Sequence, residues 1–234
     1  MDAHYTYAVI LAASLAGPLL LSFDNKVRFY KKWKYLFQEM ILPALFYVIW
    51  DLFFTYKGVW SFNDDYITGL KLFGLLPFEE VLFFFVVPYC CVFIYECIRC
   101  YFPKLVNKHA ADLILLSLAL FVMVPGVIFY SKWYTSWTFL LLFVAIFLLY
   151  LFRKKLTAFD ATSFLVSYAI ILIPFLIVNG FLTAIPVVLY NDVENLGLRI
   201  SSIPVEDAFY GMLLILLNVV GYEQLYQKDK KNKR

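Results

Sequence analysis

Apolar residues fill seven long stretches of the chain, and polar or charged residues are concentrated in the links between them. A helix needs about 20 predominantly apolar residues to cross the hydrocarbon core of a bilayer, and each stretch has roughly that length. The pattern predicts an all-α integral membrane protein, a bundle of seven transmembrane helices. The predicted spans are residues 5–21, 35–56, 77–99, 112–130, 137–152, 161–179 and 204–225.

The composition agrees with this prediction, since 63% of the residues are hydrophobic and only 16% are charged, which is far more apolar than a soluble domain. Pro43, Pro88 and Pro174 fall inside predicted spans. Neighbouring helices can satisfy the carbonyl groups that a proline frees in a membrane. Each of these prolines therefore predicts a kink and not the end of a span.

Basic residues divide the links into two sets. Most of the 20 lysine and arginine residues lie in the links after spans one, three and five and in the C-terminal tail. Only Lys57, Lys71, Lys132 and Arg199 lie in the other links. Because basic loops stay in the cytoplasm, this predicts an external N-terminus and a cytoplasmic C-terminus, with the cell's inner (plasma) membrane as the location. The net charge of +3 then reflects topology, and no nucleic-acid partner is expected.

The sequence contains few residues that could bind a metal or form a catalytic triad. The four cysteines all lie in or just after span three, and Cys97 and Cys100 form a single C-x-x-C without a second pair or a histidine pair. The two histidines, His4 and His109, lie near the ends of spans. The sequence therefore predicts no metal site and no Ser-His-Asp triad. It also lacks the G-x-G-x-x-G turn of a dinucleotide site.

Two segments of the chain resemble each other. Residues 62–80, FNDDYITGLKLFGLLPFEE, align with residues 190–207, YNDVENLGLRISSIPVED, at an offset of 128 that becomes 127 after one deleted residue. Spans one to three and five to seven are therefore predicted to be two parallel copies of one three-helix unit, with span four as the connector. The predicted divisions are residues 1–101, 102–135 and 136–234. The aligned polar pairs include Asn63–Asn191, Asp64–Asp192, Lys71–Arg199, Glu79–Glu206 and Glu80–Asp207, and upstream Asp51–Asn179.

Each copy opens an apolar span with two adjacent acids, Glu79-Glu80 after Pro77 and Glu206-Asp207 after Pro204. Proline is favoured at the first helical position, which places the acids in the first turn, where the helix dipole favours negative charge. Capping alone would explain one such pair. Two matched pairs at a membrane favour a chemical task, since a buried charge there costs several kcal/mol. One acid of each pair should keep its proton to a higher pH than an isolated glutamate, so the site would hold an acid and a base together.

Other polar residues are expected near these acids. Asp51 and Asn179 lie toward the outer ends of spans two and six, level with the acid pairs. They either orient the acids or form an ordinary hydrogen bond between helices. Asn63 and Asn191 lie in the outer links, where a purely structural role in the loop is the alternative to supporting the acids. Trp60 is either a residue of the interfacial aromatic belt or an aromatic face for a cation.

Glu96 and Glu223 form a second matched pair of acids. They lie 17 residues beyond Glu79 and Glu206, which corresponds to about 25 Å along a helix. This distance places them near the predicted cytoplasmic surface. Ion pairing is expected there, and catalysis is not.

The motifs resemble those of the small integral-membrane lycopene cyclases, in which two homologous halves occur as separate subunits or fused in one chain. The resemblance covers nearly the whole chain and is to the fused form. It rests on the doubled Pro-x-Glu-Glu/Asp motif, PFEE at 77–80 and PVEDAFYG at 204–211. WD at 50–51, GVWSFNDDYITG at 58–69 and VNGFLT at 178–183 extend it.

The resemblance implies conversion of the linear ψ-ends of lycopene to β-ionone rings, giving γ-carotene and then β-carotene. A proton adds to the terminal double bond, the internal double bond attacks the carbocation, and a second proton leaves the ring. The reaction is a non-redox isomerisation, and the resemblance implies no flavin or other cofactor. Formation of an ε-ring and cyclisation of a longer C50 carotenoid stay open as alternatives.

The resemblance also implies roles for the matched residues and partners for the protein. Lycopene and membrane lipid are the implied partners, with other carotenoid-pathway enzymes or a second copy of the chain left open. Exchange of Glu79 or Glu206 for glutamine is predicted to abolish or strongly reduce ring formation without loss of membrane insertion. The residues implied as catalytic are Glu79, Glu80, Glu206 and Asp207, and those implied as supporting are Asp51, Asn63, Asn179, Asn191 and Trp60.

Two other classes of seven-helix protein fit part of the pattern. A retinal-binding receptor needs a Schiff-base lysine within its last helix, and span seven has none before Lys228. A carrier or proton-coupled transporter would fit the parallel repeat, but its substrate must reach the site from both sides, whereas the acids here cluster on one. Acid-base chemistry beside a cation uses both the acids and the aromatic residues, and a cyclase is favoured for that reason.

Overall fold

A computed structural model describes the protein over residues 3–105 and 108–233, with no description of the Lys108 side chain. Lys108 and Arg234, which belong to the predicted basic links and tail, thus have side chains outside the described part. Within these ranges, seven helices are long and apolar enough to cross a membrane, which confirms the predicted number. They are α1 (Thr6–Leu21), α2 (Trp33–Tyr56), α3 (Phe78–Tyr101), α4 (Lys108–Ile128), α5 (Trp133–Leu151), α6 (Ala161–Ala184) and α7 (Val205–Asn232).

Several helix ends differ from the predicted spans. Helix α5 begins at Trp133, so Tyr134 belongs to it and the predicted boundary between residues 135 and 136 falls inside the helix. Helix α6 continues to Ala184 and α7 to Asn232. Hydropathy marks where a chain leaves the apolar core, whereas helical hydrogen bonds continue into the interface and beyond. All predicted spans except the first are therefore shorter than their helices.

The α2–α3 and α6–α7 links are predicted to lie outside, and we call them the outer links. They contain short strands that the all-α prediction omitted. Strands of two or three residues carry too few positions for an alternating pattern to be read from a sequence. Two of them join the links, because β1 pairs antiparallel with β4 and places Trp60 opposite Tyr190. The strands are β1 (Trp60–Phe62), β2 (Lys71–Leu72), β3 (Leu76–Pro77), β4 (Val188–Tyr190), β5 (Arg199–Ile200) and β6 (Ile203–Pro204); β2 pairs with β3 and β5 with β6.

Positions that align in the sequence make corresponding contacts in the two links. The amide of Asn63 donates to the carbonyl of Val187 at 3.0 Å, and the amide of Asn191 donates to the carbonyl of Val59 at 2.9 Å. The two bonds are equivalent, because the 128-residue offset relates Asn63 to Asn191 and Val59 to Val187. The links also contain matching ion pairs, Lys71–Asp64 and Arg199–Asp192, each at 2.5 Å.

Pro77 and Pro204 precede their helices by one residue. The sequence placed them at the first helical position, but each is the N-cap, with ψ of 144° and 141° respectively. Each proline is also the last residue of a strand, and strand pairing holds its ψ extended. The helices therefore begin one residue later than expected. Glu79, Glu80 and their counterparts still lie in the first helical turn.

Helices α3 and α7 form the centre of the described bundle and are its most buried helices. Helix α1 packs on α3 and α5 on α7, while α2 packs between α3 and α7 and α6 packs on α3. Helix α4 lies outside this arrangement, against α5 and α6. The N-terminal turns of α3 and α7 consequently meet in the middle of the protein, beside the joined outer links.

Ion pairs occupy the opposite ends of α3 and α7. Glu96 pairs with Lys32 and accepts a hydrogen bond from the Tyr222 hydroxyl at 2.7 Å. Glu223, which is fully buried, pairs with Arg99. The predicted ion pairing of both acids is confirmed. Because Glu96 and Arg99 lie on α3 and their partners Tyr222 and Glu223 lie on α7, these contacts tie the two halves of the chain together.

Candidate active site

Glu80 and Asp207 line one cavity in the middle of the bundle. Each is the third residue of its helix, α3 for Glu80 and α7 for Asp207, and both are buried. Asp51 of α2 is also buried and lines the same cavity. The alignment pairs Glu80 with Asp207, and the fold brings these two acids from opposite halves of the chain to a single space.

A tyrosine donates a hydrogen bond to each of the two aligned acids. The Tyr7 hydroxyl of α1 donates to Oε2 of Glu80. The Tyr134 hydroxyl of α5 donates to Oδ1 of Asp207 at 2.5 Å. Sequence reasoning missed both tyrosines, although 127 residues separate them, the same offset that relates Glu80 to Asp207. The upstream offset of 128 pairs Tyr7 with Thr135, so only a return to the offset of 127 in span one would have found them.

Asp207 has two further donors that Glu80 lacks. Its Oδ2 accepts from the Tyr190 hydroxyl at 2.8 Å and from Nδ2 of Asn179 at 3.1 Å. At the aligned positions of the first half stand Phe62, which has no hydroxyl, and Asp51, which has no amide. The two acids therefore differ in environment although their positions correspond. Asn179 thus contacts Asp207, and its role in supporting the reaction stays a prediction.

Asp51 has one carboxyl oxygen without a hydrogen-bond partner among the described residues. This oxygen, Oδ2, is buried, and Asp51 interacts electrostatically with Glu80. Burying an ionised carboxylate without partners is costly. This oxygen is thus suited to a carboxyl group that holds a proton.

Glu79 and Glu206 point away from the cavity and toward the outer links. Oε1 of Glu79 accepts from the Thr68 amide at 2.7 Å, and Oε1 of Glu206 accepts from the Leu196 amide at 2.8 Å. Glu206 also accepts from the Thr135 hydroxyl at 2.6 Å. The sequence treated each adjacent pair as one acid-base site. The fold separates the members of each pair, because neighbouring residues of a helix point about 100° apart.

Aromatic rings form the outer wall of the cavity. The ring of Trp60 lies 5.1 Å from that of Tyr134 and 6.0 Å from that of Tyr210. The rings of Tyr134 and Tyr190 stack at 5.8 Å. Aromatic faces stabilise cations by about 0.5 to 2 kcal/mol each. Trp60, one of the predicted supporting residues, is therefore placed beside the acids together with three tyrosines.

Asn63 and Asn191, the other predicted supporting residues, do not line this cavity. Oδ1 of Asn63 accepts from the Asp65 amide at 3.0 Å, and Oδ1 of Asn191 accepts from the Val193 amide at 3.1 Å. Both side chains thus cap turns of the links, a common use of asparagine. Both residues hold turns of the links, and a supporting role for them in the reaction stays a prediction.

The cavity has little positive charge. No lysine, arginine or histidine is among the described residues that line it. Burial, followed by the nearby Asp207 carboxyl, raises the pKa of Tyr190 well above its usual value, so its hydroxyl stays protonated and keeps donating. Within the described ranges, no group of three or more histidine, cysteine, aspartate or glutamate side chains could hold a metal ion. The absence of a cofactor stays a prediction.

The sequence model of the lycopene cyclase family matches the chain twice, at residues 4–98 and again at residues 131–225. The chain belongs to the lycopene cyclase family. The first match contains α1, α2 and most of α3, the second contains α5, α6 and most of α7, and α4 lies between them. A lycopene cyclase acts on carotenoids, and its seven apolar helices make this one an integral membrane enzyme. Searches of curated proteins and of solved structures gave no match.

Proposed function

We propose that this lycopene cyclase converts the ψ-ends of lycopene to β-rings in the cavity between Glu80, Asp207 and Asp51. The observation that carries the proposal is the position of these three carboxyl groups, from both halves of the chain, in one buried space walled by aromatic rings. Cyclisation of a polyene end needs a proton donor, a surface that stabilises a carbocation, and a base. The cavity contains a group for each of these tasks.

The Asp51–Glu80 pair is the proposed proton donor. Two neighbouring carboxyl groups in an apolar cavity do not both ionise without a large electrostatic cost, so they hold a proton between them. The unpartnered Oδ2 of Asp51 is the atom that benefits most from that proton. The proton adds to the terminal C=C bond of the ψ-end and leaves a tertiary carbocation.

Asp207 has two proposed roles: it stabilises the cation, and it is the base that removes the ring proton. Its three hydrogen-bond donors, on Tyr134, Tyr190 and Asn179, favour the carboxylate form. The internal C=C bond attacks the carbocation, which forms the ring C–C bond and moves the charge into the ring. Loss of a ring proton to Asp207 then leaves the new ring double bond. One proton enters and one leaves, so the reaction is an isomerisation without a change of oxidation state.

Glu79 and Glu206 are proposed to position the outer links over the cavity. Each binds a backbone amide of the link that precedes its helix, and these links contain β1 and β4, which supply Trp60 and Tyr190. The effect of these acids on the reaction would then pass through the aromatic wall. This division replaces the equal roles that the motif implied for the four acids.

The topology completes the proposal. The basic links predict that the α3 and α7 N-termini face the outside, so the cavity lies toward the outer side of the plasma membrane. The matching contacts of the two outer links support an arrangement as two parallel three-helix repeats joined by α4. A hydrocarbon substrate can reach such a site from the lipid phase.

Expression in a lycopene-producing bacterium, followed by pigment chromatography, tests the function. Conversion of lycopene to γ-carotene and β-carotene is expected. Accumulation of ε-ring products would place the deprotonation at a different ring carbon and would refute β-ring formation. Unaltered lycopene beside correctly inserted protein would refute the cyclase assignment.

Isotope incorporation tests the proton steps. Membranes that contain the enzyme are incubated with lycopene in D₂O, where the carboxyl groups exchange their protons. Each ring formed is expected to carry one deuterium, because one proton is delivered by an exchangeable acid. Rings without deuterium would contradict delivery of the proton by these carboxyl groups.

A further inference from the structure

A second, more apolar cavity adjoins the acid cavity between α1, α3 and α6. Three residues, Val87, Phe175 and Asn179, line both spaces. We name the second space the α1–α6 groove. Its other lining residues include Ser14 and Pro18 of α1, Cys90 and Ile94 of α3, and Pro174 and Val178 of α6.

The two spaces differ in size. The groove has a volume of about 180 Å³, whereas the acid cavity has about 50 Å³. A cavity of about 150 Å³ is large enough for benzene, so hydrocarbon fits the groove but a six-membered ring does not fit the acid cavity unless a side chain moves. Phe175, which lines both spaces, is the side chain whose movement would join them.

The groove leads away from the acids and into the predicted membrane core. From Glu80 to Ile94 is 14 residues along α3, a distance of about 21 Å. None of the described residues that line the groove is charged. Pro174 lies exposed on the outer face of α6, so the groove reaches the surface that faces lipid. Its shape and chemistry suit a long hydrocarbon chain whose end reaches the acids.

Bulky side chains fill the equivalent space in the other half. Val178 aligns with Trp50 and Phe175 with Tyr47 at the 128-residue offset, and Ser14 aligns with Leu141 at 127. Trp50 is buried, and its ring lies 5.4 Å from that of Tyr47 and 5.0 Å from that of Tyr210 on α7. Valine and serine leave open on one side the volume that tryptophan and leucine occupy on the other.

We propose that the α1–α6 groove binds the linear polyene chain of the carotenoid while one ψ-end occupies the acid cavity. Because the equivalent space is filled, the enzyme takes its substrate through this side alone and processes one end per binding event. A second ring then requires release and rebinding in the reverse direction. This inference rests on the proposed function and adds the binding site and the route of entry to it.

Blocking the groove tests the inference. Val178→Trp installs the side chain of the aligned position in the groove, and Ile177→Trp adds the same side chain on the neighbouring residue, which is 56% exposed on the lipid side. The three proteins, wild type included, are expressed in lycopene-producing cells and purified. Total C40 carotenoid and phospholipid per protein are measured, together with the pigment composition of the cells.

Carotenoid bound to Val178→Trp is expected to fall about tenfold, because the indole takes the volume that the polyene chain needs and overpacking is destabilising. Ring formation should fall with it. The Ile177→Trp protein should behave as wild type. Ser14→Leu introduces the residue of the aligned position 141 and narrows the groove from its α1 wall. It should give the same loss of bound carotenoid, and it replaces Val178→Trp in the test if that variant does not accumulate in the cells. Loss of bound carotenoid from the variant at position 14 supports the groove independently.

The outcomes separate the groove from the function. If the wild type forms rings and both groove variants bind as much carotenoid as the wild type, the proposed binding site is wrong and the proposed function stands. Loss of phospholipid alone would identify the occupant as lipid and would also overturn it. A wild type that leaves lycopene unaltered yet retains it through the groove would refute the cyclase assignment but not the binding site.

Discussion

Replacement of Asp207 by asparagine removes the proposed cation stabiliser and base with almost no change of shape. The amide can still accept hydrogen bonds from the Tyr134 and Tyr190 hydroxyls, or donate to them after rotation. The change therefore removes the negative charge and the ability to take a proton. The fold should be unaffected because the packing volume is the same.

The magnitude follows from the environment of the carboxylate. A carbocation about 4 Å from a single negative charge gains about 4 kcal/mol at the effective dielectric constant of a partly buried pair. The described lining of the cavity offers no basic residue whose charge would change this balance. Since 1.36 kcal/mol corresponds to a tenfold change in rate, ring formation should slow by about 10³-fold. Loss of a general base alone is typically worth 10² to 10⁴, which agrees with this value.

The assay measures rings formed per unit time in membranes or liposomes supplied with lycopene, with products separated by chromatography. Asp192→Asn is the matched control, because Asp192 is an exposed aspartate of the outer link that pairs with Arg199. Surface changes of this kind are usually within 0.5 kcal/mol, so the control should stay within about twofold of wild type. An Asp207→Asn enzyme that keeps more than a tenth of wild-type activity would show that the negative charge at this position is not needed.

Three further predictions concern the contacts around the acids and at the other end of the bundle. Tyr134→Phe removes a donor to Asp207. A hydrogen bond to a charged group is worth about 1.5 to 3 kcal/mol, so activity should fall at least tenfold, whereas Tyr7→Phe should slow proton delivery. Equal activity of both variants and wild type in the same ring-forming assay would contradict the proposed contacts. Glu206→Gln keeps an oxygen that can accept the Leu196 amide, so activity should fall much less than in Asp207→Asn; an equal loss would restore the catalytic role that the motif implied. Arg99→Met leaves buried Glu223 without its partner, which should destabilise the protein by about 3 kcal/mol and lower the unfolding temperature in detergent by several degrees; an unchanged melting curve would refute this.

Much of the fold could be predicted because the membrane restricts the choices. In a bilayer each backbone polar group must be satisfied within its own span, so length and hydropathy alone revealed seven helices. Charged residues are rare in such a chain, and for that reason the acids, Asp51 and Asn179 stood out. The internal alignment related these residues across 127 or 128 positions without any structural information.

The sequence alone thus determined the seven helices, the family and the set of polar residues from which the site is drawn. Which acid of each pair faces the cavity depends on the packing of the bundle, because adjacent helical residues point in different directions and packing sets the rotation of the helix. The tertiary structure also brought Tyr7 and Tyr134 to the acids, and it showed that the two halves differ where Val178 leaves space that Trp50 fills. Such contacts depend on how distant helices meet, and a local pattern of residues contains no record of that.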